Sequence, residues 1–512
     1  MKGFFPRPRS GHFRGGQYPF PTLISCDLLP WEIFIKIAGF LQSDHLLNFS
    51  LASSQFRRLL LPELYRTVAL HSSRACLSGL AMLRKRPELC MYIRSLIVRP
   101  NCAVICWPRT DGPVNETDVA SIIEELADNL TNLEKFEWSG LELPSNQLCV
   151  ALRRKCPMLT EIVSSGAGSG YLSTESEVFN FENLTAFSLF VPPGPKKEFL
   201  LIDIPHSLWD MLTHRAANLQ KLSLQLFYSS HHLLDLDRLL NTIFPRLCAL
   251  HLDIVCAKGN TAPSQPFTLL GPFLSAHPLL TSLSIHPCPD VLPLDLPPTA
   301  LTQLTAFVGV YQHVAELPHP ELLETLDLTG APVSAPDMKA IAAALSRLVS
   351  LKSLDVRVAA PALLVPIIEV CGGLTTLRVV FAANFGMKYL RSLSASLHQH
   401  LPHLRSFTLY KGHRLTDGTM LQYALTILAN NPALQEIHLA WFAMRERFAR
   451  RQNGSYVMRT DVMGMRYLEV CERGVRSANM GGGIFGRRFR YALEGKMDFR
   501  GSVERRVARI RR

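Results

Sequence analysis

LETLDL (residues 323–328) and LKSLDV (351–356) begin 28 residues apart, and MKAIAAALSRLVSL (338–351) fills most of the interval. Each six-residue copy has the form aliphatic-x-x-aliphatic-x-aliphatic. Its last two apolar positions alternate as in a β-strand with one buried face. The stretch between the copies reads as a helix ending in a small loop. The same six-residue pattern recurs in LEKFEW (133–138), LTAFSL (184–189), LQKLSL (219–224), LCALHL (247–252), LTSLSI (280–285), LTTLRV (374–379), LRSFTL (404–409) and LQEIHL (434–439), with weaker copies in IRSLIV (93–98), LTEIVS (159–164) and LTAFVG (304–309). The thirteen copies span starts from 93 to 434, a mean period of about 28 residues with spacings of 19 to 40. Repetition on this scale predicts an α/β solenoid, with a curved parallel sheet, helices on the convex side and the x residues displayed on the concave face. A generic α/β domain with buried parallel strands is the competing fold, and thirteen near-copies argue against it.

Composition fits an array of this kind. A chain of 512 residues is long for one compact domain, but a repeat array grows in one dimension. With 47% apolar and 19% charged residues it is not a disordered chain. No run of about 18 apolar residues occurs, so no membrane span is expected. The N-terminal MKGFFPRPRSGHFRGGQYPFP (1–21) lacks an apolar signal core. The twelve cysteines form no C-x-x-C pair, and Cys102 and Cys106 have no second pair nearby. They read as reduced thiols of a cytoplasmic or nuclear protein.

Charge is unevenly placed. Residues 441–512 hold 18 Lys+Arg against 7 Asp+Glu, and the other 440 residues hold 36 against 35. Basic character therefore belongs to the C-terminal segment, which argues against nucleic-acid binding by the body of the protein. Within that segment, strand-like alternation and glycine turns predict a small β cap over 441–504, with Phe489, Tyr491 and Leu493 on one face. RRVARIRR (505–512) reads as an exposed tail.

The N-terminal region has a different rhythm. LLPWEIFIKIAGFL (28–41) starts a helix at Pro30, and Ile33, Ile37, Phe40 and Leu41 fall on one face of it. Ser43 or Asp44 can cap a second helix carrying Leu46, Leu47 and Leu51. A third carries Phe56 and Leu59 and is expected to stop at Pro62. Three short helices cannot bury their own apolar surface, so the module either caps the repeat domain or is covered by another protein.

This module resembles the F-box. The family's opening Leu-Pro, acidic and aliphatic positions are met by Leu29, Pro30, Glu32 and Ile33, and the end of its first helix by Ile37, Phe40 and Leu41. Asp44-His45-Leu46-Leu47 matches the start of its second helix. Ser54-Gln55-Phe56-Arg57 matches its closing turn, and PELYRTVAL (62–70) its continuation in large fungal families. The usual Trp of the third helix is Phe56. The repeats resemble the degenerate leucine-rich repeats that follow F-boxes, without the Asn that regular repeats place after the strand. Together with the readings above, the resemblance divides the chain into a disordered arm (1–22), an F-box (23–67), an irregular leucine-rich-repeat solenoid (68–440), the β cap (441–504) and the arginine-rich tail (505–512). It also implies that the F-box binds a Skp-type adaptor, and through it a cullin, as substrate receptor of an SCF-type cullin-RING ubiquitin ligase. The adaptor-facing residues would be Leu29, Pro30, Ile33, Ile37, Phe40, Leu41, Leu46 and Leu47. The alternative is a non-degradative scaffold, nuclear or cytoplasmic, whose basic C-terminus contacts protein or nucleic acid.

No catalytic arrangement emerges. SSGAGSGY (164–171) lacks the lysine of a phosphate loop, and no G-x-S-x-G occurs. His398, His400 and His403, like His231 and His232, read as solvated loop histidines without interleaved carboxylates. No metal or cofactor is expected, and the chain is not expected to be an enzyme. Candidate substrate contacts come from the column of x residues, which runs Glu137, Ser188, Ser223, His251, Ser284, Val308, Asp327, Asp355, Arg378, Thr408 and His438. From this column and its neighbours, His251, Asp327, Asp355, Arg378, Tyr410 and His438 are the proposed contacts for a substrate protein. Asp327 and Asp355 are expected about 5 Å apart. Such a pair either takes a cation from a partner or is neutralised from within by Arg357 or Arg378.

Overall fold

The computed structural model describes residues 30–41, 43–101, 114–166, 172–173, 175–191, 205–228, 236–256, 269–286, 293–383, 385–411, 419–441, 452–460, 466–476 and 484–492. The residues expected to form the N-terminal arm and the arginine-rich tail lie outside them, as do Leu29, Cys102, Cys106, His231, His232 and Leu493. The chain divides into two compact units, Met1–Thr67 and Val68–Arg512.

The first unit contains the helices Trp31–Phe40, Ser43–Ala52 and Ser54–Tyr65. Its core is Ala38, Leu46 and Leu60, packed by Leu41, Phe49, Phe56 and Leu64. The Phe49 and Phe56 rings stack at 4.7 Å, and Phe34 lies 5.4 Å from Phe56. The inward face of the first helix is therefore the Phe34–Ala38 row, one position away from the Ile33–Ile37 row expected to be its apolar face. The third helix starts where the Ser53 side chain accepts the Phe56 N–H. It does not stop at Pro62 but runs on to Tyr65. Proline removes one helical hydrogen bond, and here Leu60 and Leu64 on either side are held by the core, which offsets that loss.

Among the described residues the second unit is built on one seventeen-stranded sheet. Its strands are β1 (Thr67–Leu70), β2 (Ser95–Val98), β3 (Lys135–Ser139), β4 (Glu161–Ser165), β5 (Ala186–Val191), β6 (Lys221–Tyr228), β7 (Ala249–Cys256), β8 (Ser282–His286) and β9 (Ala306–Val308). They continue with β10 (Thr325–Val333), β11 (Ser353–Val358), β12 (Thr376–Phe381), β13 (Ser406–Lys411), β14 (Glu436–Trp441), β15 (Gln452–Thr460), β16 (Arg466–Arg476) and β17 (Ile484–Ala492). From β2 to β14 every strand pairs in parallel with the next in sequence. Each of these strands begins two residues inside one copy of the repeat. The fold is thus α/β with a mostly parallel, solenoid-like sheet.

The physical reason is visible in every copy. The first and fourth residues are buried, as with Leu219 and Leu222, Leu351 and Leu354, or Leu374 and Leu377. The fourth and sixth point into the core and the fifth points away. At each junction two consecutive N–H groups share one carbonyl of the preceding copy. Lys352 and Ser353 donate to Glu324, Thr375 and Thr376 to Lys352, and Arg405 and Ser406 to Thr375. Several threonine hydroxyls add a bond to that same carbonyl. The repeat therefore fixes both burial and register. The weak copy at 304–309 has Gly309 where an apolar residue is usual. A Cβ there would stand 2.7 Å from the Phe307 ring, and β9 is only three residues long.

Helices cover the core face. Ser73–Lys85, Glu116–Leu126 and Asn146–Lys155 pack in succession, as do Met338–Leu345, Leu364–Val370, Met387–His400 and Met420–Asn430. Side-chain caps start several of them, including the Thr419–Gln422 capping box. At the far end β14–β15, β15–β16 and β16–β17 are antiparallel and extend the same sheet. Tyr456 is fully buried there. Its hydroxyl reaches past Gly454 and donates to Glu472 at 2.6 Å.

Candidate functional site

Two surfaces carry the residues singled out by sequence, one on each unit. On the first unit, Pro30 is exposed, and Ile33, Ile37 and Phe40 are 42%, 42% and 90% exposed. Trp31, Leu47 and Leu51 join them at 56%, 51% and 60%. Large apolar side chains rarely stand this far into water in such number on forty residues. Leu41 is half-buried, and Leu46 is buried in the unit's own core. Leu46, expected to face an adaptor, instead holds the second helix in place from within.

On the second unit the x residues form one continuous register. Glu137, Val163, Ser188, Ser223, His251, Ser284, Val308, Asp327, Asp355, Arg378, Thr408 and His438 are successive Cα partners across β3 to β14. This column lies on the face opposite the helices, where side chains are mostly half-exposed. We call it the open face.

Near the C-terminal end of the column, Asp327 and Asp355 are direct partners. Their charges are managed from within. Asp327 Oδ1 accepts from the Thr329 N–H at 2.7 Å and from its hydroxyl at 2.6 Å. Arg378 Nη1 donates to Asp355 Oδ2 at 3.0 Å, and the same guanidinium lies 4.9 Å from the Tyr410 ring centre. Arg357, the other cation considered, is exposed further along β11. Burial pushes the Asp355 carboxyl up from its ordinary pKa. Arg378 pulls it down and Asp327 adds to the rise. Arg378 Nε is buried and makes no hydrogen bond. Beside Tyr410 a cleft of about 300 Å³ opens where the parallel array passes into the antiparallel strands. Thr408, Tyr410, His438, Asn453, Ser455 and Cys471 line it. His438 Nε2 stands 2.9 Å from Glu436 Oε1. The cleft can hold a small polar or aromatic side chain beside an ion pair.

His251, the remaining candidate, lies apart from that cleft. The fold brings it to Asp253 and His286, neither of which was singled out from sequence. Burial and the neighbouring His286 hold the His251 imidazole below its usual pKa, against a smaller opposing pull from Asp253. The signal was present but lay across copies. Gln225, Asp253 and His286 all occupy the seventh position of consecutive copies, and pairing by register makes them neighbours.

No protein-family model matches the chain, and no curated protein matches it either. No helix among the described residues is long and apolar enough to cross a membrane.

Proposed function

We propose that the protein is the substrate-recognition subunit of an SCF-type cullin-RING ubiquitin ligase. In this reading the N-terminal unit is an F-box that binds a Skp-type adaptor and through it a cullin. The repeats are degenerate leucine-rich repeats whose open face binds a substrate protein. The chain supplies proximity and leaves the chemistry of ubiquitin transfer to other subunits. The observation that carries the reading is the row Ile33, Ile37 and Phe40, exposed on the outer side of the helix that starts after Pro30. Phe34 and Ala38 already satisfy the inner side of that helix. A helix apolar on both sides suits a unit with two partners, its own core and another protein.

The test is co-purification of the full chain with a purified Skp-type adaptor. Recovery of a stoichiometric complex, lost in the Leu29→Ala/Pro30→Ala double variant, supports the proposal. Absence of any complex with the wild-type chain would leave a non-degradative scaffold as the better reading.

A further inference from the structure

Three side chains from neighbouring repeats converge on the open face at β7 and β8. Asp253 and His286 are register partners, and His251 precedes Asp253 by two residues on the same face. One ligand-capable atom from each of His251, Asp253 and His286 lies within 4.8 Å of the others. The two imidazole rings are 6.0 Å apart at 24° to one another. We propose that His251, Asp253 and His286 form a binding site for one divalent transition-metal ion of the zinc class.

The donor set favours that class. Two imidazoles and one carboxylate suit zinc and its close analogues, whereas calcium and magnesium prefer all-oxygen sites. Ligand atoms around a four-coordinate zinc, with bonds of about 2.1 Å, stand about 3.4 Å apart. Small side-chain rotations close the observed spread to that value.

An independent observation points the same way. His286 Nδ1 is buried and has no hydrogen-bond partner. Gly330 of β10 lies beside the other edge of the ring. A Cβ at Gly330 would stand 2.9 Å from His286 Cδ2 and 3.3 Å from Nε2. A buried imidazole nitrogen without a partner is costly, and a metal ion satisfies it. His277 shows the contrast, because both its nitrogens are used: Nε2 accepts the Phe244 N–H at 2.9 Å and Nδ1 lies 2.6 Å from the Phe273 carbonyl. The Gln225 amide stands 3.0 Å from His251 Nε2, and with its oxygen turned to that nitrogen it would accept the ring N–H as an outer partner and leave Nδ1 for the metal. With three protein ligands the fourth position is left to water or to a side chain of a partner lying on the open face. The metal would then serve recognition or rigidity, with no chemistry assigned to it.

The experiment uses the full chain, stripped with chelator and dialysed against micromolar zinc or cobalt. The chain has 17 histidines, so loose binding elsewhere is expected and stoichiometry decides. One tight equivalent of zinc, the visible d–d absorption of four-coordinate cobalt and a zinc-dependent rise in Tm are the expected results. His286→Ala should weaken binding by more than the ~10- to 100-fold that loss of an outer partner costs. A His398→Ala/His400→Ala control should leave it unchanged. Asp253→Asn, nearly isosteric, tests the same site should the alanine variant fail to fold. No tight equivalent in the wild-type chain overturns the proposal. Full retention of that equivalent in folded His286→Ala or Asp253→Asn overturns it as well.

Discussion

Phe40 and Leu46 are both large apolar residues of the first unit, and the structure predicts opposite consequences for replacing them. Phe40 is 90% exposed, so Phe40→Ala removes almost nothing from the unit's core. Its effect on stability should stay within about 0.5 kcal/mol, as for ordinary surface substitutions. Leu46 is 5% exposed and packs with Ala38 and Leu60 in the unit's small core, so Leu46→Ala should cost about 2–5 kcal/mol. Adaptor binding should sort the other way. Burying a large apolar side chain is worth roughly 1.5–3 kcal/mol. Ile33→Ala, Ile37→Ala and Phe40→Ala together should therefore remove several kcal/mol of binding. Interface area converts to affinity incompletely, so a loss of ~3 kcal/mol is a cautious expectation, a Kd about 150-fold weaker. Calorimetric titration with a Skp-type adaptor gives the binding term. Hydrogen exchange over residues 31–65 gives the local stability in the same preparations. The triple variant should keep wild-type protection and lose the adaptor, whereas Leu46→Ala should lose protection first. Adaptor affinity within threefold of wild type in the triple variant would refute the assignment of this face. Loss of protection in Phe40→Ala would refute the exposure argument beneath it.

Tyr456→Phe leaves the buried Glu472 carboxylate without its hydroxyl donor and should cost about 1–3 kcal/mol in urea unfolding. Gly454→Ala should be at least as damaging, because its Cβ would stand 2.6 Å from the Tyr456 hydroxyl. Burial pushes the Cys149, Cys156 and Cys371 thiols up to about 12, so at pH 8 a thiol reagent should label them only after unfolding. The Asp355 carboxyl is raised in the folded state, so its contribution to stability is greatest below the ordinary carboxylate pKa. That contribution declines as pH rises through the ordinary value towards the raised one. The stability of the wild-type chain relative to Asp355→Asn, measured by urea unfolding across this window, should fall with rising pH.

The parallel sheet was legible because thirteen copies place apolar residues at the first and fourth positions and eleven of them also at the sixth, the pattern of a strand with one buried face. The antiparallel end was legible from alternation and glycine turns. The inward face of the first helix was not. In WEIFIKIAGF (31–40) apolar residues occur on both sides, and periodicity can show that a face is apolar without saying which partner meets it. Only the packing of Phe34 against Phe49 and Phe56 decides. The run of the third helix through Pro62 was hidden for a related reason, since local propensity points to a stop and tertiary packing of Leu60 and Leu64 overrides it.

The chemistry of the open face was legible only in part, and the reason lies in how a repeat sheet is built. Within one strand, residues on the same face are two apart, so a single copy contributes one or two side chains to any site. Every further member comes from the next copy, about 4.8 Å away across the ladder and some 28 residues away in sequence. A search for ligands or catalytic groups at close sequence spacing therefore passes over a site such as His251, Asp253 and His286. The same search stops at His398, His400 and His403, which sequence brings together. The geometry that matters is a column number, and it can be counted once the copies are aligned on their first leucine. Asp327, Asp355 and Arg378 were found that way because they share the fifth position. That Asp327, Asp355 and Arg378 stand side by side, with Tyr410 two residues beyond Arg378's partner Thr408, then follows from register alone. What register does not supply is the sign of the outcome. Whether two adjacent carboxylates wait for a partner's cation or take one from their own chain depends on side-chain reach, and here Arg378 reaches Asp355. In the proposed reading, a substrate protein would meet a neutral ion pair here beside an aromatic ring and a cleft, and would gain most by stacking.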